Sequence, residues 1–179
     1  MIFALGIDPV MGHADPALNG ITEARFNAYT QAATVSYSAH ETPEIGFAVA
    51  ADGWASLAHR FDSARDFTTY SAVRITLSVK QPSTALLRVT LNDLVPGAGI
   101  TSPDEMHWLD INGALVQPRM VSHTVPLSDL RLSEGVGARH NDGVWSPGSV
   151  AGFEINIVGQ GSETSGTLVL HELSFVPDG

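Results

Sequence analysis

Between residues 70 and 80 the chain reads YSAVRITLSVK, where Val73, Ile75, Leu77 and Val79 alternate with Arg74, Thr76, Ser78 and Lys80. Successive side chains of a strand point to opposite faces, so a period of two predicts a strand buried on one face and solvated on the other. The next apolar stretch repeats it, with Leu87, Val89 and Leu91 inward and Arg88, Thr90 and Asn92 outward. Late in the chain Phe153, Ile155 and Ile157 point inward and Glu154 and Asn156 outward. Strands are predicted at 33–41, 45–50, 54–61, 70–80, 85–93, 106–111, 120–127, 150–158 and 167–176. Turn chemistry separates them: ADG at 51–53, QPS at 81–83, PGAG at 96–99, NDG at 141–143 and GQGSETSG at 159–166. The pattern predicts an all-β fold, an antiparallel β-sandwich or jelly roll of about nine strands. Residues 1–32 form an irregular N-terminal segment packing on a 33–179 domain. Within it DPVMGHADPALNG reads as a loop and TEARFNAYTQ (22–31) as a short helix or an irregular strand.

A length of 179 residues suits one packed domain, and 44% apolar residues are ordinary for a globular chain. Nineteen carboxylates face nine basic residues, a formal charge of −10, and Lys80 is the one lysine. Nucleic acid is not expected as a partner, because neutralising phosphates needs clustered Lys or Arg. The absence of cysteine excludes disulfides, thiolate nucleophiles and cysteine-ligated zinc. The opening MIFALGID lacks a basic start and is broken by Asp8 and Pro9, so no signal peptide is read there. No run approaches a membrane span, and no membrane partner is expected.

Several stretches resemble the β-jelly-roll carbohydrate-binding modules of polysaccharide-degrading enzymes. They are VPLSDL (Val125 to Leu130), AGFEINIV, the closing GTLVLHELSF, and the pair GWASLAHRF and DFTTYSAVRITLSV. The resemblance covers roughly residues 33–177 through short, degenerate motifs. It implies a polysaccharide or oligosaccharide ligand, an attached catalytic domain, an extracellular or cell-surface location and a monomer. Many such modules hold a structural calcium with an aspartate of the last strand, where His171 stands here. Imidazole is a poor ligand for that hard cation, so calcium is not expected at this place. Asp8, Asp15, Glu23 and Glu172 could supply oxygens elsewhere.

The resemblance also implies that ligands lie across the concave outer face of one sheet. In DEMHWLDI (104–111) alternation sets His107, Leu109 and Ile111 on the buried face, and Met106, Trp108 and Asp110 on the other. The outward set is then Arg88, Thr90, Asn92, Trp108, Asp110, Glu154 and Asn156. A pyranose stacks its apolar face on an aromatic ring, and its hydroxyls pair with amides, guanidinium and carboxylates. Trp54 shares parity with Ser56, Ala58 and Arg60 and would extend the platform; Trp145, between turn signals, would sit at the rim. The competing reading buries Trp108 under a loop and leaves its polar companions merely solvated.

The histidines give no catalytic motif. His123 has the inward parity of Val121 and Val125, and His171 that of Val169, Leu173 and Phe175, so both are expected to be buried and hydrogen-bonded. His13 lies in a loop without metal-site spacing, and His140 and Asp142 in a turn explained by backbone geometry. The sequence therefore favours a non-catalytic module binding a neutral glucan-type plant or algal glycan. Two alternatives stay open: a small glycosidase or lyase using Asp110 and Glu154 as its carboxylate pair, and a structural or protein-interaction sandwich.

Overall fold

The computed structural model describes residues 26–38, 43–94, 105–132 and 143–179. The loop reading of 8–20, the candidates Asp8, His13, Asp15 and Glu23, the PGAG turn, and His140 and Asp142 lie outside them. Nine strands follow in chain order: β1 (Asn27–Ser38), β2 (Glu44–Arg65), β3 (Tyr70–Gln81), β4 (Leu86–Asp93), β5 (Glu105–Ile111), β6 (Met120–Pro126), β7 (Arg131–Leu132), β8 (Val150–Val158) and β9 (Thr164–Pro177). All pairings are antiparallel, in the spatial order β6-β3-β9-β2-β8-β4-β5-β7, with β1 also on β2. The sheet curls into a jelly-roll sandwich, and no α-helix occurs among the described residues.

The alternation in the sequence translates directly into the core. Val73, Ile75, Leu77, Leu87, Val89, Leu91, Phe153, Ile155 and Ile157 are all buried in one apolar cluster shared by both halves of the sheet. On the outer face of β3, Thr76 Oγ1 donates to Ser122 Oγ at 3.1 Å or to Glu172 Oε2 at 3.2 Å, and that face is solvated.

The two stretches predicted at 45–50 and 54–61 form one strand of 22 residues, because ADG does not turn the chain. Glu44–Val49 pairs with β9, and Trp54–Arg65 pairs with β8, so β2 passes from one half of the sandwich to the other. The 159–161 segment covers the crossing point, with Gly159 N donating to Gly53 O and Gly161 N to Ala51 O. Glycine at 53 answers a close approach: a Cβ there would lie 2.5 Å from the Ala32 carbonyl oxygen.

Two bulges shift the expected parity. Between Gln31 and Ala33 the register of β1 on β2 slips, with Ala32 at φ 48°, so Tyr29 and Gln31 face outward while Val35 and Tyr37 turn toward the core. β1 thus begins at Asn27, and the domain start placed at residue 33 falls within a strand; 27–31 is neither a helix nor a segment apart. In β9 Thr76 pairs with Glu172 but Leu77 with Leu170, which leaves His171 as the extra residue. His171 is therefore exposed rather than buried, and its Nε2 hydrogen-bonds Ser78 Oγ at 2.8 Å.

His123 does face inward, but β6 is an edge strand and covers it only in part. Its Nε2 has no hydrogen-bond partner among the described residues. Burial pulls its pKa below the usual histidine value. A depressed histidine pKa means the unfolded chain binds the proton more readily, so stability falls as pH drops below about 6.5 toward the folded value. His123→Gln is expected to flatten the thermal midpoint between pH 7 and 5 relative to wild type, read by scanning calorimetry.

Candidate functional site

Directly paired antiparallel residues share a face, so the register maps the outer surface of β1, β2, β8, β4, β5 and β7 row by row. One row runs Tyr29, Ser56, Asn156, Arg88, Asp110. The next runs Ala58, Glu154, Thr90, Trp108, Arg131. The row on one side carries Gln31, Trp54, Val158 and Leu86, and that on the other Arg60, Gly152, Asn92 and Met106. A groove of about 370 Å³ lies on these rows, lined by Tyr29, Trp54, Ser56, Arg88, Thr90, Met106, Trp108, Glu154, Asn156 and Val158. The walls are aromatic and the floor is polar.

The polar floor is tied together. Glu154 accepts from Ser56 Oγ at 2.8 Å on one oxygen and from Asn92 Nδ2 at 3.2 Å on the other. Asn156 Nδ2 donates to Thr90 Oγ1 at 2.8 Å. Arg60 is half-buried; burial lowers its pKa, and the charges of Glu154 and Tyr29 oppose that shift. Fixed donors and acceptors of this kind meet a ligand without first having to be ordered.

Both indoles are held by polar partners. Arg88 makes a forked pair with Asp110, Nε to Oδ1 at 2.6 Å and the second nitrogen to Oδ2 at 3.2 Å. The same guanidinium lies 4.2 Å from the centre of the Trp108 ring, a cation–π contact that steadies the indole. Across the groove, Trp54 Nε1 donates to Gln31 Oε1 at 2.9 Å.

Among the residues proposed from the sequence, Trp54, Arg88, Trp108, Glu154 and Asn156 line one groove. Asn92 lies beneath it, fully buried against Glu154; Arg60 stands at its end, and Asp110 supports Arg88. Trp145 is placed elsewhere. Its ring meets His107 edge-on at 5.2 Å and packs against the core, on the opposite side of β5 from Trp108. Gly143 N and Ser146 N on either side of Trp145 donate to the buried Glu105 and Asp93 carboxylates, so a rim position does not hold. Sequence reasoning missed Tyr29, which is 53% exposed on the groove, because the bulge at Ala32 hides its parity. Ser56, Thr90 and Met106, given outward parity by the sequence, also line the groove.

A second polar cluster lies on the inward side of β4 and β5. Asp93 pairs with Glu105, and Leu91 with His107, so Asp93, Glu105 and His107 share the core face at the end of the sheet. Their exposures are 1%, 2% and 3%. His107 Nε2 is 3.2 Å from Glu105 Oε2 and 3.4 Å from Asp93 Oδ1. Burial would pull the imidazole pKa down, but the adjacent Asp93 and Glu105 carboxylates outweigh it and the net shift is upward.

No family model matches the sequence, and no curated protein does. Among solved structures, the chain is similar to a family 11 carbohydrate-binding module from Clostridium thermocellum in complex with a β-1,3-1,4-mixed-linked tetrasaccharide. The TM-score is 0.66 at 12% identity, covering 86% of this chain and 89% of that one. A family 30 carbohydrate-binding module of a cellulosomal cellulase from the same organism matches at TM-score 0.53 and 12% identity, over 86% and 96%. An agarase matches at TM-score 0.56 and 15% identity, over 87% of this chain and 23% of that longer one. The chain has the fold of the β-sandwich carbohydrate-binding modules.

Proposed function

We propose that this protein is a non-catalytic carbohydrate-binding module that takes a neutral, glucan-type polysaccharide chain in the groove between Trp54 and Trp108. The observation that carries the reading is the groove itself: two fixed indoles and an exposed tyrosine over a pre-ordered floor of Ser56, Thr90, Glu154 and Asn156. Such a surface offers ring faces to sugar faces and hydrogen bonds to their hydroxyls. Charge supports a neutral ligand: Arg88 is neutralised by Asp110, and Arg60 lies in the field of Glu154. No unopposed cationic pair faces the groove among the described residues to draw an anionic glycan.

The catalytic alternative fits less well. A glycosidase needs one carboxyl group to deliver a proton and another to attack or activate water, about 5–9.5 Å apart. Here both oxygens of Glu154 and both of Asp110 already accept hydrogen bonds from protein donors. The two residues are also two strands and one row apart, roughly 12 Å between Cα atoms on ideal sheet spacings. The fold recurs within longer glycoside hydrolases, which supports a role in bringing an attached or partner enzyme to its polysaccharide outside the cell.

Affinity gel electrophoresis and calorimetry against mixed-linkage glucan, soluble cellulose derivatives, agarose oligosaccharides and alginate test the reading. Binding to a neutral glycan, with no new reducing ends after prolonged incubation, is expected. Product release lost in Asp110→Asn or Glu154→Gln would instead establish catalysis. Silence across the panel would favour a structural sandwich.

A further inference from the structure

The Asp93, Glu105 and His107 cluster takes no part in the groove and is not explained by core packing. Each carboxylate spends its outer oxygen on the 143–149 segment: Asp93 Oδ2 accepts from Ser146 N at 2.7 Å, and Glu105 Oε1 from Gly143 N at 2.8 Å. The inner oxygens, Asp93 Oδ1 and Glu105 Oε2, converge on His107 Nε2. One ring nitrogen carries at most one proton, so it cannot satisfy two oxygens by donation. Asp93 Oδ1 indeed has no hydrogen-bond partner, although its side chain is 2% exposed. Among the described residues no lysine or arginine pairs with either carboxylate, and burying uncompensated negative charge is costly.

One nitrogen and two carboxylate oxygens, each from a different side chain, lie within 4.8 Å of one another. At ligand bonds of about 2.0–2.2 Å, neighbouring donors around a small divalent ion stand roughly 3–3.5 Å apart. The spacings to His107 Nε2 are of that size. Imidazole selects against calcium, which prefers an all-oxygen shell, and favours zinc and its first-row neighbours. We propose that Asp93, Glu105 and His107 hold a structural divalent transition-metal ion of the zinc class. The ion neutralises both carboxylates, satisfies Asp93 Oδ1, and fastens the end of the β4–β5 pair to the segment carrying Trp145, whose ring leans on His107. This site lies on the opposite face of β5 from Trp108 and does not depend on the glycan reading.

The test starts from protein stripped with a chelator and titrated separately with Zn²⁺, Co²⁺ and Ca²⁺. One equivalent of Zn²⁺ per chain is expected, with the thermal midpoint raised by several degrees and no comparable rise with Ca²⁺. Co²⁺ should give a d–d absorption band that Zn²⁺ displaces. His107→Gln and Glu105→Gln should each weaken Zn²⁺ binding at least tenfold, whereas His171→Ala, at an exposed histidine, should leave it unchanged. If the buried variants do not fold, X-ray absorption of zinc-loaded wild type reads the shell directly: one imidazole with oxygen donors supports the site. The proposal is overturned by failure of wild type to bind Zn²⁺ stoichiometrically, by a midpoint that responds only to Ca²⁺, by undiminished binding in a folded His107→Gln, or by a shell with no imidazole or several.

Discussion

Trp54→Ala combined with Trp108→Ala is expected to lower affinity for the preferred oligosaccharide about a hundredfold while leaving the chain folded. A ring stacked on an apolar face contributes on the order of 1.5 kcal/mol, which is roughly tenfold in affinity for each indole. Neither indole belongs to the buried core, so truncation opens no internal cavity. Arg88 keeps its fork to Asp110 when Trp108 is removed, and Gln31 returns to solvent when Trp54 is removed. Calorimetry on the two single variants and the double variant should show losses that nearly add, since the side chains stand on separate walls and share no hydrogen-bond partner. Wild-type affinity in the double variant would move the binding surface to another face of the sandwich.

The second large effect is on stability. Phe153→Ala is expected to cost about 3–5 kcal/mol, a large share of the roughly 5–15 kcal/mol that holds a domain of this kind together. Phe153 is completely buried on β8 and meets Phe26, His59 and Phe61, with ring centres 5.3–6.3 Å apart. Its truncation leaves a cavity that rigid strands on both sides cannot close. Because Glu154 and Asn156 follow on the same strand, the groove should lose affinity only as the folded population falls. Urea denaturation with and without saturating oligosaccharide separates the two: the ligand should restore part of the midpoint by mass action.

The strands legible in the sequence were those whose pattern is set by one core face alone. In β3, β4, β5 and β8 strict alternation put Ile75, Val89, Leu109 and Ile155 inside, and the same parity put Arg88, Trp108, Glu154 and Asn156 on one surface. Three features escaped for physical reasons. At Ala51–Gly53 the composition favours a turn, but the chain stays extended where β2 crosses between the two halves, with Gly53 O and Ala51 O accepting from Gly159 N and Gly161 N. At Ala32, opposite the 50–53 stretch of β2, and at His171, where one extra residue is inserted in β9, register shifts reverse the faces, an event with no signature in hydrophobic periodicity. The Asp93, Glu105 and His107 cluster was partly visible, as an acid and a histidine two apart on the buried face of β5; Asp93 joined them through strand pairing. Trp145 was expected at the rim and lies inward instead, because its direction depends on the carboxylates that anchor its segment.

β2 joins the last strand at one end and the groove's central strand at the other. An engineer who wished to transplant the sugar-facing surface onto another scaffold could not simply cut out its strands. The piece supporting Trp54 is the continuation of a ribbon whose far end is stitched to the C-terminus, so a truncation ahead of residue 164 would unmoor a wall it never touches.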